Sequence, residues 1–436
     1  MTETFPLSSE QRSMLHMDRL LGPGILHNLV ASLEVPRGTT NRTVRHAVER
    51  LAERNPALTA TLAEGAHGTR QQTGRRDVEV HSFAPSSGGD IESRLDRLRH
   101  LRLDRSTGAR ATVRRHTDGA GDRLILAVDH LVCDAAAREL VVRDTSSLLT
   151  GGGPAADAHT APQAYAAYCR EQEAALADGQ VRRREIERWK CALRGCRPLT
   201  GLGSKAAADA PREARCWEIH EPGPALHDAL RHLAAATATS PFVVGAALYA
   251  TALWARTGVR SSALVTPVST RRAPEHQRLV TNLVNERPVP YRIVPDEGFT
   301  VLAQRLGGSF LSALRGASLA IPDLVATVDG YRELLHAPDC AYVQLQVSLG
   351  SAAPSDLPAG ERSWPWGAPY AAPTGITCTV FRVNASPRGA RLSTFHGGPT
   401  GQGTAVAAIS KDVIRLAGLA AGDPRTPVGR LADEAC

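Results

Sequence analysis

The stretch from Leu124 to Leu149 constrains the fold more than any other part of the sequence. Its continuous apolar run, Leu124 to Val128, predicts a strand that is buried on both faces. Asp129 and His130 follow at the end of this strand. Asp134 then stands directly before a segment whose apolar residues have helical spacing, where aspartate is a favoured N-cap. The sequence therefore predicts a buried strand, a short turn that carries an imidazole, and a capped helix.

Two interpretations of His130 are open on this stretch alone. Imidazole titrates near neutral pH, so His130 is a candidate general base or positioning group. Equally, a histidine at a strand end is often structural, and Asp134 would then serve as a helix cap. For Asp134 the two interpretations are compatible, because a capping carboxylate can also orient a neighbour.

Length and composition limit the class of protein. A chain of 436 residues exceeds the usual size of one hydrophobic core, so two domains are expected. A hydrophobic content of 42% with 22% charged residues is typical of a globular protein. The net charge of +7 is spread along the chain, without a basic tract interleaved with aromatic residues. Nucleic-acid binding is therefore not expected, whereas an acidic protein partner would suit this charge.

The cysteines and the start of the chain indicate a cytoplasmic protein. The eight cysteines, Cys133, Cys191 and Cys196 among them, show neither CxxC pairs nor a disulfide framework. The first residues lack a signal segment, and no apolar run has the length of a membrane span. We therefore expect a reducing compartment and no membrane partner.

Capping residues delimit several further elements. Ser8 or Ser9 is expected to cap a first helix, and a second helix over Thr43 to Arg54 is expected to end at Asn55-Pro56. Ser240 followed by Pro241 predicts the start of a core helix that ends at Thr257-Gly258. Ala263 to Val268 predicts a buried strand.

The central stretch resembles the HHxxxDG signature of condensation domains of nonribosomal peptide synthetases. His130 and Asp134 match that signature, whereas Asp129 replaces its first histidine and Ala135 its glycine. Further matches of low individual specificity follow in the family's order over essentially the whole chain. They are the opening helix, Glu53 to Leu58, Leu101 to Arg110, Tyr165 with Tyr168, Trp189 to Gly195, Ser269 to Arg272, and Leu279 to Asn285.

The resemblance implies an α/β (α+β) fold. Two chloramphenicol-acetyltransferase-like lobes would form a V-shaped pseudo-dimer around a central tunnel. The first lobe would span residues 1–175 and the second residues 176–436, with the handover between residues 170 and 200. The second lobe would carry a floor loop and, near Pro354 to Pro373, a latch that crosses onto the first. Without an adenylation or carrier domain in its sequence, the chain is expected to be free-standing or excised.

The resemblance also implies a reaction. A carrier protein would present an acyl thioester on its phosphopantetheine arm, and an amine acceptor would attack it to form an amide. His130 would take the proton from the amine or hold it, and Asp134 would pair with Arg271 or Arg272. The chain itself is expected to bind no cofactor or metal and to be a monomer. The candidate catalytic residues are His130, Asp129 and Asp134; the candidate substrate-binding residues are Asn285, Glu286, Arg271 and Arg272.

The departures from the signature keep several alternatives open. The charge of Asp129 is expected to raise the pKa of His130 and weaken it as a base. Ala135 adopts positive φ only at a cost, so the backbone there is expected to differ from the family's. Glu286 replaces a threonine, and a solvated charge at a strand end is favoured over a carboxylate that contacts a cationic substrate.

Three other functions of the same fold also remain. The chain could form esters with a hydroxyl acceptor. The pair Asp129 and Asp134 satisfies the DxxxxD spacing of heterocyclization domains, although His130 is retained. Finally, the altered signature is compatible with a catalytically silent domain that recruits other enzymes.

Overall fold

The structure, a computed structural model, describes most of the chain. The described residues are 3–21, 28–65, 68–73, 79–82, 95, 97–98, 101, 103, 111–118, 121–151, 162–200, 202, 215–315, 319–336, 341–350, 377–397 and 402–436. Among them the helices are α1 Ser9–Leu21, α2 Asn41–Arg54, α3 Ala135–Leu149, α4 Pro162–Ala177, α5 Gly179–Ala192, α6 Ala225–Ala236, α7 Pro241–Thr257, α8 Phe299–Leu314, α9 Ile321–Thr327, α10 Tyr331–Leu335, α11 Gln402–Gly422 and α12 Val428–Ala435. The strands are β1 Glu3–Pro6, β2 Asn28–Glu34, β3 Thr61–Gly65, β4 Gly68–Thr73, β5 Glu79–Ser82, β6 Ala111–Asp118, β7 Gly121–Asp129, β8 Arg215–His220, β9 Ser261–Ser269, β10 Val284–Arg292, β11 Ala341–Leu349, β12 Thr377–Ser386 and β13 Gly389–Gly397.

The first lobe consists of the elements from β1 to α4. Its larger sheet has the order β2-β7-β6-β5, and its smaller sheet the order β1-β4-β3. The apolar run of β7 is covered on both faces, as the sequence predicts. Leu124, Leu126 and Val128 pack in one core with α2 and α3. Ile125 and Ala127 pack in a smaller cluster on the opposite face.

The second lobe consists of the elements from α5 to α12. Its sheet has the order β10-β9-β11-β12-β13-β8. The helices α6, α7 and α11 pack together and against this sheet, where the ring of Tyr249 lies 4.5 Å from that of Phe381. Helix α7 is buried along most of its length because its sequence is almost uninterruptedly apolar. The core of the second lobe is accordingly larger than that of the first.

The chain passes from one core to the other between α4 and α5. Tyr165 and Tyr168 of α4 belong to the first core, and Trp189 of α5 belongs to the second. This change of core lies close to the boundary expected from the sequence. The V-shaped arrangement of the two lobes and the central tunnel stay predictions. The expected latch at Pro354 to Pro373 lies outside the described residues.

Each lobe also places apolar side chains in the core of the other. Met17 of α1 packs in the second core. In return, a segment of the second lobe between β9 and β10 places Leu279, Val280 and Leu283 in the first core. Each lobe therefore depends on the other for part of its apolar packing.

Polar contacts hold α1 against the second lobe. The guanidinium of Arg12 lies 2.7 Å from the carboxylate of Asp323, and the Ile321 N–H donates to Ser13 Oγ at 2.9 Å. Glu10, which is 1% exposed, accepts hydrogen bonds from Thr270 and Tyr168. Helix α1 is thus shared between the two lobes.

The predicted helix ends are confirmed. Ser8 Oγ accepts from the Gln11 N–H at 3.2 Å, and the Gln11 side chain accepts from the Ser8 N–H at 3.0 Å, which is a capping box. The second helix ends at Arg54, before Asn55. Ser240 caps α7, which ends at Gly258 in the left-handed conformation with φ of 71°.

Two findings concern membrane-spanning helices and the state of the cysteines. No single helix of the described residues is long and apolar enough to cross a membrane; α6 and α7 reach that length and composition only together, across a bend of 103°. Five of the cysteines, Cys133, Cys169, Cys191, Cys196 and Cys436, are free thiols.

Candidate active site at the end of strand β7

The end of β7 and the turn that follows place His130. Asp129 is the last residue of the strand, and its Oδ1 accepts a hydrogen bond from the Leu131 N–H at 2.9 Å. This bond caps a single 3₁₀ turn, His130–Val132. Leu131 and Val132 are fully buried, and most of the surface of His130 is buried as well. The buried apolar residues therefore anchor the turn that carries the imidazole.

The tautomer of His130 follows from its hydrogen bond. Nδ1 lies 2.7 Å from the carbonyl oxygen of Cys133. A carbonyl oxygen only accepts, so Nδ1 carries the proton and the lone pair of the neutral ring lies on Nε2. The ring is thus held in the tautomer in which Nε2 can accept a proton.

Burial of the ring lowers the pKa of His130 below its ordinary value. The hydrogen bond to the Cys133 carbonyl and the charges of Asp134 and Asp129 act in the opposite direction, but burial outweighs them. The expectation that Asp129 would make His130 a more protonated base is therefore wrong in its net result. The charge effect has the expected sign, but the loss of hydration is larger. At neutral pH the imidazole is unprotonated.

Cys133 does not contribute a second nucleophile. Its side chain is fully buried, and burial raises the pKa of the thiol far above its ordinary value. A thiol is reactive as the thiolate, so this residue acts through its backbone carbonyl.

Asp134 is fixed by four hydrogen bonds. As the N-cap of α3 it accepts from the Ala137 N–H at 2.7 Å, as the sequence predicts. It also accepts from the Leu283 N–H at 2.9 Å and from two nitrogens of Arg271 at 2.8 Å and 3.2 Å. The expected pairing with an arginine of the second lobe is confirmed for Arg271. With both oxygens used in this way, the carboxylate joins the two lobes, and a catalytic role for Asp134 stays a prediction.

The guanidinium of Arg271 is fully engaged by the protein. Besides Asp134, it donates to the backbone carbonyl oxygens of His276, Leu279 and Thr281. A guanidinium has five N–H groups, and these contacts use all of them. The geometry favours a structural role, and substrate binding by Arg271 stays a prediction. Arg272, in contrast, is exposed and donates to the Leu314 carbonyl.

Ala135 is the first residue of α3 and has an ordinary helical backbone. Among the described residues that are not glycine, positive φ occurs at Ala238. A glycine is therefore not required where the family signature has one. The expectation that the backbone at Ala135 differs from the family's stays a prediction.

Asn285 and Glu286 lie at the start of β10, close to the site through Leu283. The buried Asn285 donates to the Leu319 carbonyl at 3.3 Å, and its Oδ1 has no hydrogen-bond partner among the described residues. Glu286 is half-buried and accepts from Tyr342 and Gln344. The favoured interpretation of Glu286 as a solvated charge is therefore wrong.

Sequence reasoning missed Tyr342 and Gln344. They are more than fifty positions beyond Glu286 and belong to no motif. Only the pairing of β10 with β9 and of β9 with β11 brings them next to the carboxylate. A local sequence signal for this contact does not exist, because strand pairing is set by the whole sheet.

Among the residues that the structure describes, no group of three or more His, Cys, Asp or Glu side chains is placed to hold a metal ion. What the site offers is one neutral imidazole beside an ion pair that joins two lobes.

The family model named Condensation domain matches residues 1–340. The chain belongs to the condensation-domain family. It is 26% identical over 351 residues to phosphinothricin tripeptide synthetase PhsC of Streptomyces viridochromogenes, covering 76% of this chain and 32% of that protein. The curated relatives PhsC, AmbB and PhsB are all much longer, and the matched regions span between 25% and 32% of their lengths.

Solved structures show the same fold over nearly the whole condensation-domain chain. The condensation domain of the monacolin K polyketide synthase MokA has a TM-score of 0.76 at 16% identity, covering 98% of this chain and 99% of that one. The X-domain from teicoplanin biosynthesis has a TM-score of 0.75 at 16% identity, covering 97% and 96%. The α/β fold expected from the sequence is therefore confirmed.

Proposed function

We propose that this condensation domain transfers an acyl group from a carrier-protein thioester to an amine and so forms an amide bond. The observation that carries the proposal is the fixed tautomer of His130, whose Nδ1–H donates to the Cys133 carbonyl while burial keeps the ring neutral. A neutral Nε2 is the form needed to accept a proton from an attacking amine.

In the proposed reaction the amine nitrogen attacks the thioester carbonyl carbon. A C–N bond forms, and the nitrogen's proton passes to Nε2 of His130. Collapse of the intermediate breaks the C–S bond, and the protonated imidazole returns the proton to the leaving sulfur. The acyl group ends on the amine and the thiol on the carrier's phosphopantetheine arm. The arm is substrate, so the chain itself supplies no cofactor.

The remaining candidate residues have supporting roles in this proposal. A thioester is already activated, so alignment of the reactants is the larger task and can contribute roughly 7–11 kcal/mol. Asp134 and Arg271 would fix the two lobes so that a passage between them ends at His130. Asp129 would hold the turn through its bond to Leu131. The net charge of +7 suits an acidic carrier protein as the partner.

The test is transfer from an acyl-loaded carrier protein to a panel of amines, followed by mass spectrometry of the carrier and the product. We expect His130→Ala to lower the transfer rate by roughly 10²–10⁴-fold, as loss of a positioned proton acceptor does. The matched control is His46→Ala, which removes an exposed histidine of α2.

Other outcomes of this assay would support one of the three alternative functions instead. Transfer to hydroxyl acceptors alone would identify an ester-forming enzyme, and a product that has additionally lost one water would identify heterocyclization. Thioester that persists with every acceptor, together with binding of another enzyme, would identify a silent recruitment domain. Transfer that is unaffected by His130→Ala would remove the basis of the proposed mechanism.

A further inference from the structure

Glu286 lies on the face of the second-lobe sheet that is turned away from α6, α7 and α11. Along β11, Val343 and Leu345 are in the core beneath these helices, and Val347 approaches Gly245 of α7. Successive side chains of a strand alternate between faces, so Tyr342 and Gln344 lie on the opposite face. Glu286 hydrogen-bonds both of them and therefore shares that face.

The carboxylate of Glu286 is held by neutral donors. One oxygen accepts from the Tyr342 hydroxyl and the other from the Gln344 amide. Within the described part of the chain, Glu286 has no Lys, Arg or His in an ion pair with it. The neighbouring Arg287 donates instead to the Leu319 carbonyl at 3.0 Å. Burial raises the pKa of Glu286, while the hydrogen bonds from Tyr342 and Gln344 act in the opposite direction. A bound cation would stabilise the charged form of this partly buried acid and offset the cost of its burial.

Beyond Tyr342 lie two imidazoles, His336 and then His16, that have ring nitrogens without hydrogen-bond partners among the described residues. The ring of His336 lies 5.8 Å from that of Tyr342 and 5.7 Å from that of His16. His336 is 3% exposed, yet neither of its ring nitrogens has a hydrogen-bond partner among the described residues. The same holds for Nε2 of His16. Buried nitrogens without partners are rare in folded proteins, and a water molecule or a ligand can supply the missing hydrogen bonds.

The aromatic surroundings suit a cationic ligand. Tyr331 packs edge-on against His336, with ring centroids 5.6 Å apart. Burial keeps the pKa of His336 at about 3, so at neutral pH the ring is uncharged and can accept from an N–H donor. Tyrosine rings attract cations through their π faces. A carboxylate, an uncharged imidazole and two tyrosines form the set of groups that binds an ammonium or a guanidinium.

Glu286 and the residues around it lie near the end of β7. Leu283, whose N–H donates to Asp134, precedes Glu286 by three residues, a distance of roughly 10 Å along an extended strand. Helix α1, which carries His16, lies against both β10 and the turn that carries His130. Helix α1 therefore connects the strand that carries Glu286 with the turn that carries His130.

We propose that Glu286, with Tyr342, Tyr331 and His336, forms a subsite for a positively charged group of the acceptor, so that the acceptor is a basic amine of the arginine or lysine type. This inference rests on the proposed function, because it assigns the charged group to the amine that attacks the thioester. Glu286 is then a residue that determines specificity, and His130 remains the proton acceptor.

The binding test needs no acyl donor. Calorimetric titration of the full chain with L-argininamide, L-lysinamide and L-norleucinamide compares a basic side chain with a neutral one of similar length. We expect the basic amides to bind at least tenfold more tightly than norleucinamide, because the carboxylate has no other cation. Glu286→Gln keeps the shape and can still accept from Tyr342, and it is expected to abolish this preference.

The matched control is Glu333→Gln, which removes an exposed carboxylate of α10 and is expected to retain the preference. A measurement of stability separates binding from structure. If Glu286 serves binding, Glu286→Gln keeps or raises the urea midpoint of the ligand-free protein, because a partly buried charge is removed. A lowered midpoint together with equal affinities in the wild-type protein would show a structural carboxylate and overturn the inference.

The same amides are then offered to the acyl-loaded carrier. A binding preference that depends on Glu286, without any acyl transfer, supports the cationic subsite and contradicts the proposed function. Transfer that depends on His130 but proceeds equally with all three amides supports the function and overturns the subsite. The two failures are therefore distinguishable.

Discussion

At the scale of the residue, the protonation of His130 decides whether the site can act as a base. Its neighbours Asp129 and Asp134 carry charges that favour the imidazolium, yet burial of the ring has the larger effect. From the sequence, only the charges were visible, which is why the direction of the pKa shift was misjudged. The tautomer was equally hidden, because it depends on the direction in which the 3₁₀ turn points the Cys133 carbonyl.

We expect the activity to persist to lower pH than an ordinary histidine would allow. The pKa of His130 is lowered, so the neutral base is present above that lowered value and is lost as the pH falls through it. The acid limb of log(kcat/KM) against pH should therefore lie below 6.5, the ordinary value. Asp129→Asn keeps a capping oxygen but removes a charge that raises the pKa, so its acid limb should lie lower still. An acid limb above 6.5, or a shift in the opposite direction in Asp129→Asn, would contradict this account.

His336 is expected to make the protein acid-sensitive. Burial, with help from the charges of His16 and Arg332, lowers its pKa from 6.5 to about 3 in the folded state. Below pH 6.5, His336 therefore binds a proton in the unfolded chain but not in the folded protein. The free energy of unfolding decreases as the pH falls. Between pH 7 and pH 5 this linkage amounts to roughly 2 kcal/mol.

Urea unfolding at the two pH values measures this effect. His336→Phe keeps an aromatic ring and should reduce the loss of stability on going from pH 7 to pH 5 by about that amount. An equal loss in the variant and the wild-type protein would show that other groups cause the acid sensitivity.

At the scale of the element, the ends of helices were predictable and the contacts between strands were not. The caps at Ser8, Asp134 and Ser240 depend on residues within one turn, so the sequence shows them directly. The strand at Leu124 to Val128 was equally clear, because an uninterrupted apolar run needs cover on both faces. The surroundings of Glu286 depend on three strands meeting in one order, which no local pattern contains.

Replacing Gly298 or Gly308 by alanine is expected to change the free energy of unfolding in opposite directions. Gly298 precedes α8, and a Cβ added there would lie 2.7 Å from the carbonyl oxygen of Arg425. We expect Gly298→Ala to lower the free energy of unfolding by about 1–3 kcal/mol, because the backbone at Arg425, between α11 and α12, must move. Gly308 lies in α8 with no atom within 4 Å of the same added Cβ. Gly308→Ala should raise stability by roughly 0.5–1 kcal/mol.

Thermal or urea unfolding of the two variants side by side makes this comparison. If both alanines had the same effect on the unfolding midpoint, the close approach of the Arg425 carbonyl would not be a constraint in solution.

At the scale of the whole molecule, the ion pair of Asp134 and Arg271 joins the lobes. Both side chains are at most 3% exposed, and their nitrogen and oxygen atoms approach to 2.8 Å. The sequence predicted the pairing only through the family resemblance, with Arg271 and Arg272 equally eligible. Which arginine turns inward depends on the backbone carbonyls at residues 276–281, and these become acceptors only in the folded chain.

Arg271→Met should therefore destabilise the protein strongly. Removing one partner leaves the Asp134 carboxylate buried without its cation, a change that typically costs about 3–5 kcal/mol in the free energy of unfolding. The neighbouring Arg272→Met removes an exposed guanidinium and should change stability by less than about 0.5 kcal/mol. Chemical denaturation distinguishes the two, and similar values for both variants would mean that the ion pair contributes little.

The exchange of side chains between the lobes has a consequence for how the polypeptide can be made. While a ribosome is still synthesising the second half, the first lobe has no Leu279, Val280 or Leu283 to complete its core. Met17 likewise has no second core to pack against. The first lobe therefore cannot complete its apolar core until residue 283 has emerged from the ribosome. A gene split between α4 and α5 would accordingly yield two fragments that need one another, and their joint expression, rather than either alone, would restore a well-folded product.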